Sequence, residues 1–260
     1  MSLTFAQRAR YARQLSLPQI GEAGQRRLLE GRVLVIGAGG LGSPAAFYLA
    51  AAGVGRVGIM DGDIVEPSNL QRQILHRAAD LGRPKVESAA EALHALNPET
   101  EVRPTAERLT AENGPRVLAD YDVVVDATDS FASKFLIADL CHATGKPYVH
   151  GGVAQFYGQV LTVRPGRSAC YRCVFEQPPA REEEPVSGPL GAVSGVIGCV
   201  QATEAIKLLL DSADGDMLVN RLFVYDAGRL TARCVSVARR AGCLTCGHED
   251  ERYEKPRKEP

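Results

Sequence analysis

Arg32-Val33-Leu34-Val35-Ile36-Gly37-Ala38-Gly39-Gly40-Leu41-Gly42 is the stretch whose reading decides the fold. Its first five residues form a short, nearly continuous apolar run, the pattern of a strand buried on both faces. The next six match G-x-G-x-x-G, and Leu41 to Ala52 continues as a predicted helix stopped by Gly53. In a strand–turn–helix unit such glycines permit a tight turn and close backbone approach, and the helix N-terminus offers N–H groups to a phosphate. Asp61 ends the next predicted strand, Val57 to Met60, about 20 residues beyond the motif, where a carboxylate can bind the two ribose hydroxyls.

The same alternation extends outward. Gly21 to Glu30 reads as a helix stopped by Gly31, Lys85 to Leu96 as a helix halted at Asn97-Pro98, Val123 to Val125 as a buried strand, and Ser133 to Thr144 as a helix. Strands alternating with helices predict a parallel, doubly wound sheet. Past Pro147 the pattern changes. Tyr148 to Ala154 and Gln159 to Val163 read as a hairpin about Phe156-Tyr157-Gly158. A helix over Val193 to Leu210 follows, then a second hairpin, Leu222 to Tyr225 and Arg233 to Val237, about Ala227-Gly228. The expected fold class is therefore α/β, a Rossmann-like sheet that is parallel in its N-terminal half and antiparallel in its C-terminal half. Residues 1–248 form one expected domain. Gln177 to Gly188, with its Glu182-Glu183-Glu184 run, and the charged tail 249–260 have the composition of unfolded segments.

The chain has 260 residues and a formal net charge of -1, which gives no bulk attraction to nucleic acid or an anionic membrane. No apolar run in the sequence approaches the ~20 residues that span a bilayer, and residues Met1 to Gln14 are not a secretory signal. Seven cysteines, an odd number, argue against a disulfide framework and for a reducing cytoplasm. Four of them form two pairs, Cys170-Tyr171-Arg172-Cys173 and Cys243-Leu244-Thr245-Cys246, which together supply the four soft ligands of a closed tetrahedral zinc site. Redox-active pairs are the alternative, although such a motif usually occurs once. Cys141, Cys199 and Cys234 lie in apolar patterns and are expected to be buried packing residues.

Beyond Asp61 the sequence turns away from hydride transfer. Ser68-Asn69-Leu70-Gln71-Arg72-Gln73 supplies an arginine and several amides, Lys85 opens a helix, and Asp129 follows the strand at Val125. Two cations and one carboxylate around a phosphate loop suit a triphosphate with Mg²⁺ better than a dinucleotide. Taken singly, Arg72 and Lys85 could be solvated and Asp129 could cap the next helix. An NAD-dependent oxidoreductase would use only the glycine loop and Asp61.

Arg10-Tyr11-Ala12-Arg13-Gln14, the Gly37 loop, Asp61-Gly62-Asp63, Ser68 to Gln73, Gly82-Arg83-Pro84-Lys85-Val86, Asp126-Ala127-Thr128-Asp129, both cysteine pairs and Gly195-Val196-Ile197-Gly198 together resemble the MoeB/ThiF/HesA family, relatives of the ubiquitin-activating enzymes. The resemblance runs from about Arg10 to Gly247. It implies a homodimeric, ATP- and Mg²⁺-dependent adenylyltransferase with structural zinc, acting on the C-terminal Gly-Gly of a ubiquitin-like sulfur carrier in a molybdopterin, thiamin or related sulfur pathway. Carried over by position, it implies that Asp61 binds ribose, that Asn69, Arg72 and Lys85 bind phosphates, and that Asp129 holds Mg²⁺. Arg13 would reach into the partner subunit's site. The rest of the implied nucleotide-binding set is Gly37, Gly39, Gly40, Gly42, Asp63, Ser68, Leu70, Gln71, Gln73 and Ser130.

Many relatives carry a cysteine in the loop before the last predicted helix, and the loop Glu176 to Gly191 has none; Glu184 falls near the expected place. The resemblance then implies an enzyme that stops at the adenylate and leaves sulfur transfer to a separate donor. No rhodanese-like extension is expected after Gly247, and a chain ending Lys258-Glu259-Pro260, without Gly-Gly, is expected to be the activator and not the carrier. A non-catalytic, zinc-stabilised scaffold for a ubiquitin-like partner is the remaining alternative.

Overall fold

The apolar runs pair into one sheet because their residues are buried on both faces. In the computed structural model, which describes residues 2–177 and 188–247, eight strands form a single sheet in the order β3-β2-β1-β4-β5-β6-β7-β8. Strands β1 (Arg32–Ile36), β2 (Arg56–Met60), β3 (Glu101–Thr105), β4 (Val123–Asp126) and β5 (Tyr148–Ala154) are parallel. Strands β6 (Tyr157–Val163), β7 (Arg221–Asp226) and β8 (Thr231–Ser236) extend it antiparallel.

Three helices precede β1: α1 (Phe5–Arg10), α2 (Ala12–Leu15) and α3 (Gly21–Glu30). Helix α4 (Gly42–Ala51) joins β1 to β2, α5 (Lys85–Leu96) leads to β3, α6 (Gly114–Ala119) to β4, and α7 (Phe131–Ala143) to β5. The single turn α8 (Tyr171–Val174) carries the first cysteine pair, and α9 (Gly191–Leu209) returns across the sheet.

Alternate residues of a strand face opposite ways, so the sheet divides two cores. Val33, Val35, Val57 and Ile59 pack with α4, α5 and α9. Leu34, Ile36, Val124, Tyr148 and Leu161 pack with α7 and the cysteine cluster. Helices α4 and α9 approach closely because Gly198 has no side chain; a Cβ there would lie 2.4 Å from the Leu41 carbonyl oxygen and from Pro44 Cγ. By length and composition α9, 19 residues at a mean hydropathy of 1.3, could cross a bilayer, a run the sequence reading passed over. Half of it is buried inside the fold, against α4, β5 and β6.

Several expectations need correction. Strand β3 was not expected; it sits at the sheet edge, where Pro104 and exposed charges are tolerated. The first hairpin turns at Gln155-Phe156, with Gln155 at φ +52°, and Tyr157 and Gly158 belong to β6. Gly158 is needed in that strand, since a Cβ would meet Ile197 Cγ1 at 2.3 Å. Cys141 is buried as expected, but Cys199 is only partly so, and Cys234 is exposed on the terminal strand β8. The readings made for the loop about Glu182-Glu183-Glu184 and for the tail 249–260 fall on residues outside those described, apart from the loop's ends at Gln177 and Gly188.

Candidate nucleotide site and cysteine cluster

The carboxyl ends of β1, β2 and β4 gather the predicted residues, as the crevice of an open α/β sheet requires. Gly37 turns the chain at φ +102°, and a Cβ there would strike the Ala127 carbonyl oxygen at 2.6 Å. The loop after β4 therefore lies against the phosphate loop. Gly42 is tighter still, with its absent Cβ 1.8 Å from the Gly37 carbonyl oxygen. At Gly39 the space is open, the nearest atom being Gln73 Nε2 at 3.7 Å. The N–H groups of Gly39 and Gly40 find no protein acceptor among the described residues.

Both sides of the Ala38 peptide are pinned. Its N–H donates to Asp61 Oδ2 at 2.8 Å, and its carbonyl lies 2.9 Å from His76 Nε2. Burial pushes the His76 imidazole down, so the ring is neutral, with Nε2 donating to Ala38 and Nδ1 facing the Ser88 hydroxyl at 3.0 Å. Asp61 Oδ1 also accepts from the Asp63 N–H at 2.8 Å. Each carboxylate oxygen keeps a second lone pair, so both remain able to accept a ribose hydroxyl.

Lys85 is buried, not solvated, and its Nζ lies 3.1 Å from Asp63 Oδ2. Burial would raise the Asp63 pKa, but the Lys85 ammonium, followed by the Arg108 guanidinium at 2.9 Å, holds it below the usual carboxylate range. Arg72 is half-buried; its Nη1 donates to the Ser68 carbonyl at 3.0 Å, and its Cδ would touch a Cβ on Gly40 at 3.3 Å. Its cation is thus held beside the glycine loop. Asn69 is buried and its Oδ1 accepts from the Glu66 N–H at 3.1 Å, shaping the turn that carries Arg72. Gln73 is buried with Oε1 lacking a partner, an orphaned acceptor next to the open space at Gly39. Leu70 is partly buried, and Ser68 and Gln71 are exposed on the same turn.

Asp129 is exposed on the loop after β4. It does not serve as the cap of α7; that position belongs to Ser130, whose Oγ accepts from the Ser133 N–H at 3.1 Å. Arg13 is not brought to this site within its own chain. It is exposed on α2, whose neighbours Tyr11 and Gln14 bond Asn97 and Ala52 at the far end of α4, about 15 Å from the glycine loop along a ten-residue helix.

The residues present fit ATP and a hard divalent cation. Open N–H groups, two cations and the Asp61 carboxylate lie around the glycine loop, and the exposed Asp129 carboxylate on the neighbouring loop is the kind of hard oxygen donor that a divalent cation takes. Sequence reasoning missed His76, Lys134 and His150 as parts of the site's support. His150 and Lys134 are buried around Asp126 at the end of β4, an acid closing an otherwise apolar run, which is the signal that could have found them.

The four cysteines of the two pairs meet in space. Their sulfurs all lie within 4.8 Å of one another, with Cys170–Cys243 at 3.5 Å, Cys173–Cys246 at 3.4 Å and Cys170–Cys173 at 3.9 Å. Tetrahedral zinc at ~2.3 Å from each thiolate sets sulfurs about 3.8 Å apart, so the cluster has the size and chemistry of a closed zinc site. Asp139 braces it, accepting from both Arg172 and Thr245.

A ThiF family profile matches residues 11–245. The SAMP-activating enzyme E1 of Haloferax volcanii is 46% identical over 250 residues, covering 95% of this chain and 92% of that enzyme. A sulfur carrier protein adenylyltransferase of Thermus thermophilus is 44% identical over 253 residues, covering 94% and 93%. Adenylyltransferase and sulfurtransferase MOCS3 of Arabidopsis thaliana is 46% identical over 242 residues, and there the match covers 92% of this chain and 52% of the relative. Among solved structures, E. coli MccB with ATP superposes with a TM-score of 0.78 at 22% identity, over 92% of this chain and 75% of that one, a likeness of fold. The two-core sheet, the glycine cradle and the cysteine cluster thus converge with these comparisons on one conclusion: the chain belongs to the ThiF family.

Proposed function

We propose that this protein adenylates the C-terminal carboxylate of a small ubiquitin-like sulfur-carrier protein ending in Gly-Gly, consuming ATP and releasing pyrophosphate. The observation that carries this reading is the gathering of buried Lys85, half-buried Arg72 and the uncovered N–H groups of Gly39 and Gly40 at the carboxyl ends of β1 and β2, with Asp61 beside them. The names of the relatives, a SAMP-activating enzyme and a sulfur carrier adenylyltransferase, support the choice of acceptor.

A carboxylate is a poor electrophile. Its oxygen attacks the α-phosphorus, the bond to the oxygen bridging the α- and β-phosphates breaks, and pyrophosphate leaves with that electron pair. No general base is needed, because the attacking group is ionised at neutral pH. The difficulty is charge: two anions must approach. Arg72 and Lys85 offset it on the enzyme's side while Asp61 and the glycine loop fix the nucleotide in line. Mg²⁺, held by Asp129, supplies further neutralisation when bound. Arg13, remote from its own chain's site, acts from a partner subunit in a homodimer. The Cys170, Cys173, Cys243, Cys246 cluster holds structural zinc. The adenylate is then taken over by a separate sulfur donor, in a molybdopterin, thiamin or related sulfur pathway.

ATP–pyrophosphate exchange tests the reading, with MoaD-like and ThiS-like carriers supplied intact and without the terminal glycine. Exchange with one intact carrier, lost on removing that glycine, is expected. Absence of exchange with every Gly-Gly carrier tried, in a protein that still binds ATP, would overturn it.

A further inference from the structure

Directly beneath the Asp129 loop lies a buried charge cluster. Asp126, the last residue of β4, is 1% exposed and lies between Ile36 of β1 and His150 of β5 in the sheet register. Its Oδ1 accepts from both the Thr128 N–H at 3.1 Å and the Thr128 hydroxyl at 2.7 Å. Its Oδ2 accepts from His150 Nδ1 at 2.8 Å. Lys134 of α7, 7% exposed, brings its ammonium to 3.4 Å from Asp126 and donates to the Thr128 carbonyl at 2.6 Å and the Gly151 carbonyl at 2.7 Å.

An ammonium has three donors, and here all three have acceptors. A buried ion pair is weak evidence for stability, since apolar residues of the same volume often do as well. What this cluster does provide is geometry. Thr128 is gripped at its N–H, its hydroxyl and its carbonyl, and Asp129 is the next residue. The preceding residue, Ala127, is the one whose carbonyl abuts Gly37, so the same grip sets the distance between the Asp129 loop and the phosphate loop. Lys134 also cancels the buried charge of Asp126, so the carboxylate presented at the surface is that of Asp129. His150 Nε2 lacks a partner, but the Lys134 ammonium and both Asp126 oxygens are fully engaged, and that half of the network restrains Thr128.

We propose that Lys134 and Asp126 are positioning residues for adenylation, which hold Thr128 on three sides and thereby aim Asp129 at the metal of the bound nucleotide without touching nucleotide themselves. The inference rests on the reading that Asp129 holds that metal.

The test measures metal binding as well as turnover. Mn²⁺, in place of Mg²⁺, is titrated into the protein saturated with a non-hydrolysable ATP analogue, and the bound fraction is read by electron paramagnetic resonance. Lys134→Met is expected to weaken Mn²⁺ binding by about tenfold or more, with analogue binding in the presence of a chelator nearly unchanged; Lys134→Arg, which keeps the charge, restores most of it. Thr128→Val removes one of the three grips and gives an intermediate loss, and it serves where Lys134→Met fails to fold. Asp129→Ala tests the underlying reading separately. If Asp129→Ala leaves Mn²⁺ binding unchanged, that reading falls. If Asp129→Ala abolishes it while folded Lys134→Met and Thr128→Val bind Mn²⁺ as the parent does, the positioning role falls and the metal reading stands.

Discussion

The Asp61 carboxylate accepts the Ala38 N–H at 2.8 Å, so the acid at the end of β2 and the phosphate loop at the end of β1 are one unit. Its other oxygen accepts from Asp63, which in turn pairs with Lys85. A change at Asp61 therefore reaches ribose and phosphate together. Asp61→Asn puts an NH₂ group against one of two backbone donors and removes the charge. Hydrogen bonds to charged groups contribute about 1.5–3 kcal/mol, so ATP affinity is expected to fall by about 10- to 100-fold. Calorimetry with a non-hydrolysable analogue measures it; an affinity within about twofold of the parent would remove the ribose assignment.

The glycines of the loop separate into two kinds. At Gly42 a Cβ would lie 1.8 Å from the Gly37 carbonyl oxygen, a backbone clash that no rotamer relieves, whereas at Gly39 it would meet only Gln73 Nε2 at 3.7 Å. Gly42→Ala is expected to lower the melting temperature sharply or yield insoluble protein. Gly39→Ala keeps the melting temperature and loses ATP affinity, since its methyl occupies the cradle. Parallel thermal melts and nucleotide titrations check both, and equal behaviour of the two variants contradicts the assignment of a ligand to the space at Gly39.

Much of this site was legible in the sequence because its residues sit where the pattern breaks. Arg32 to Ile36 is apolar and ends in glycine, and β1, α4 and their junction lie where the pattern put them. Edge elements were harder. Glu101-Val102-Arg103-Pro104-Thr105 has the charges and proline of a loop, and only its place beside β2 makes it a strand. Cys234 was misjudged for the same reason: alternation along Thr231–Ser236 suggests burial, but a terminal strand lacks a neighbour on one side and here leaves every residue exposed. Lys134 resembles any surface lysine of a helix, and nothing in one dimension reveals that two carbonyls and Asp126 surround it.

Arg13 lies at the end of α4 opposite the glycine loop, so its own chain cannot use it at the cradle. If a partner subunit does, two inactive variants should complement. Arg13→Ala and Asp129→Ala, mixed in equal amounts and allowed to exchange subunits, leave one heterodimer site with both residues intact. About a quarter of parental exchange activity is then expected from random pairing of a symmetric dimer. No recovery in a mixture proven to have exchanged would exclude action in trans.

The buried titratable groups give the fold an acid-sensitive side. Burial lowers the pKa of both His76 and His150, so the folded protein keeps them neutral where the unfolded chain would bind protons below about pH 6.5. Burial alone would raise Asp126, but Lys134 and then His150 hold it down to about 2. In each case the folded pKa is depressed, so the stabilisation is complete above the unfolded value and is lost as pH falls. Stability should decline from about pH 6.5 as the histidines contribute, and again below about pH 4 as Asp126 does. Denaturant titrations between pH 8 and 3, with imidazole resonances followed in parallel, measure this. Histidine resonances of the folded protein that all titrate at pH 6.5 or above would contradict it.

The cysteine cluster predicts a metal dependence of the fold distinct from that of catalysis. It joins α8 to the segment after β8 at a sequence separation of 73 residues, so its loss frees the end of the described chain from the second core, which Cys170, Cys243 and Cys246 help to fill. Structural zinc contributes about 10 kcal/mol or more in small domains; in this larger one the sheet survives and the effect is a lowered melting temperature. Elemental analysis of the parent is expected to give one zinc per chain, and Cys170→Ser and Cys246→Ser should each abolish it. Nucleotide affinity should hold at temperatures where the variant stays folded, because the cradle belongs to the carboxyl ends of β1, β2 and β4 and the cluster lies on the opposite face of the sheet from α4. Zinc content unchanged in both variants would refute the site, and loss of ATP binding in a folded, zinc-free variant would show that the metal supports the cradle as well as the fold.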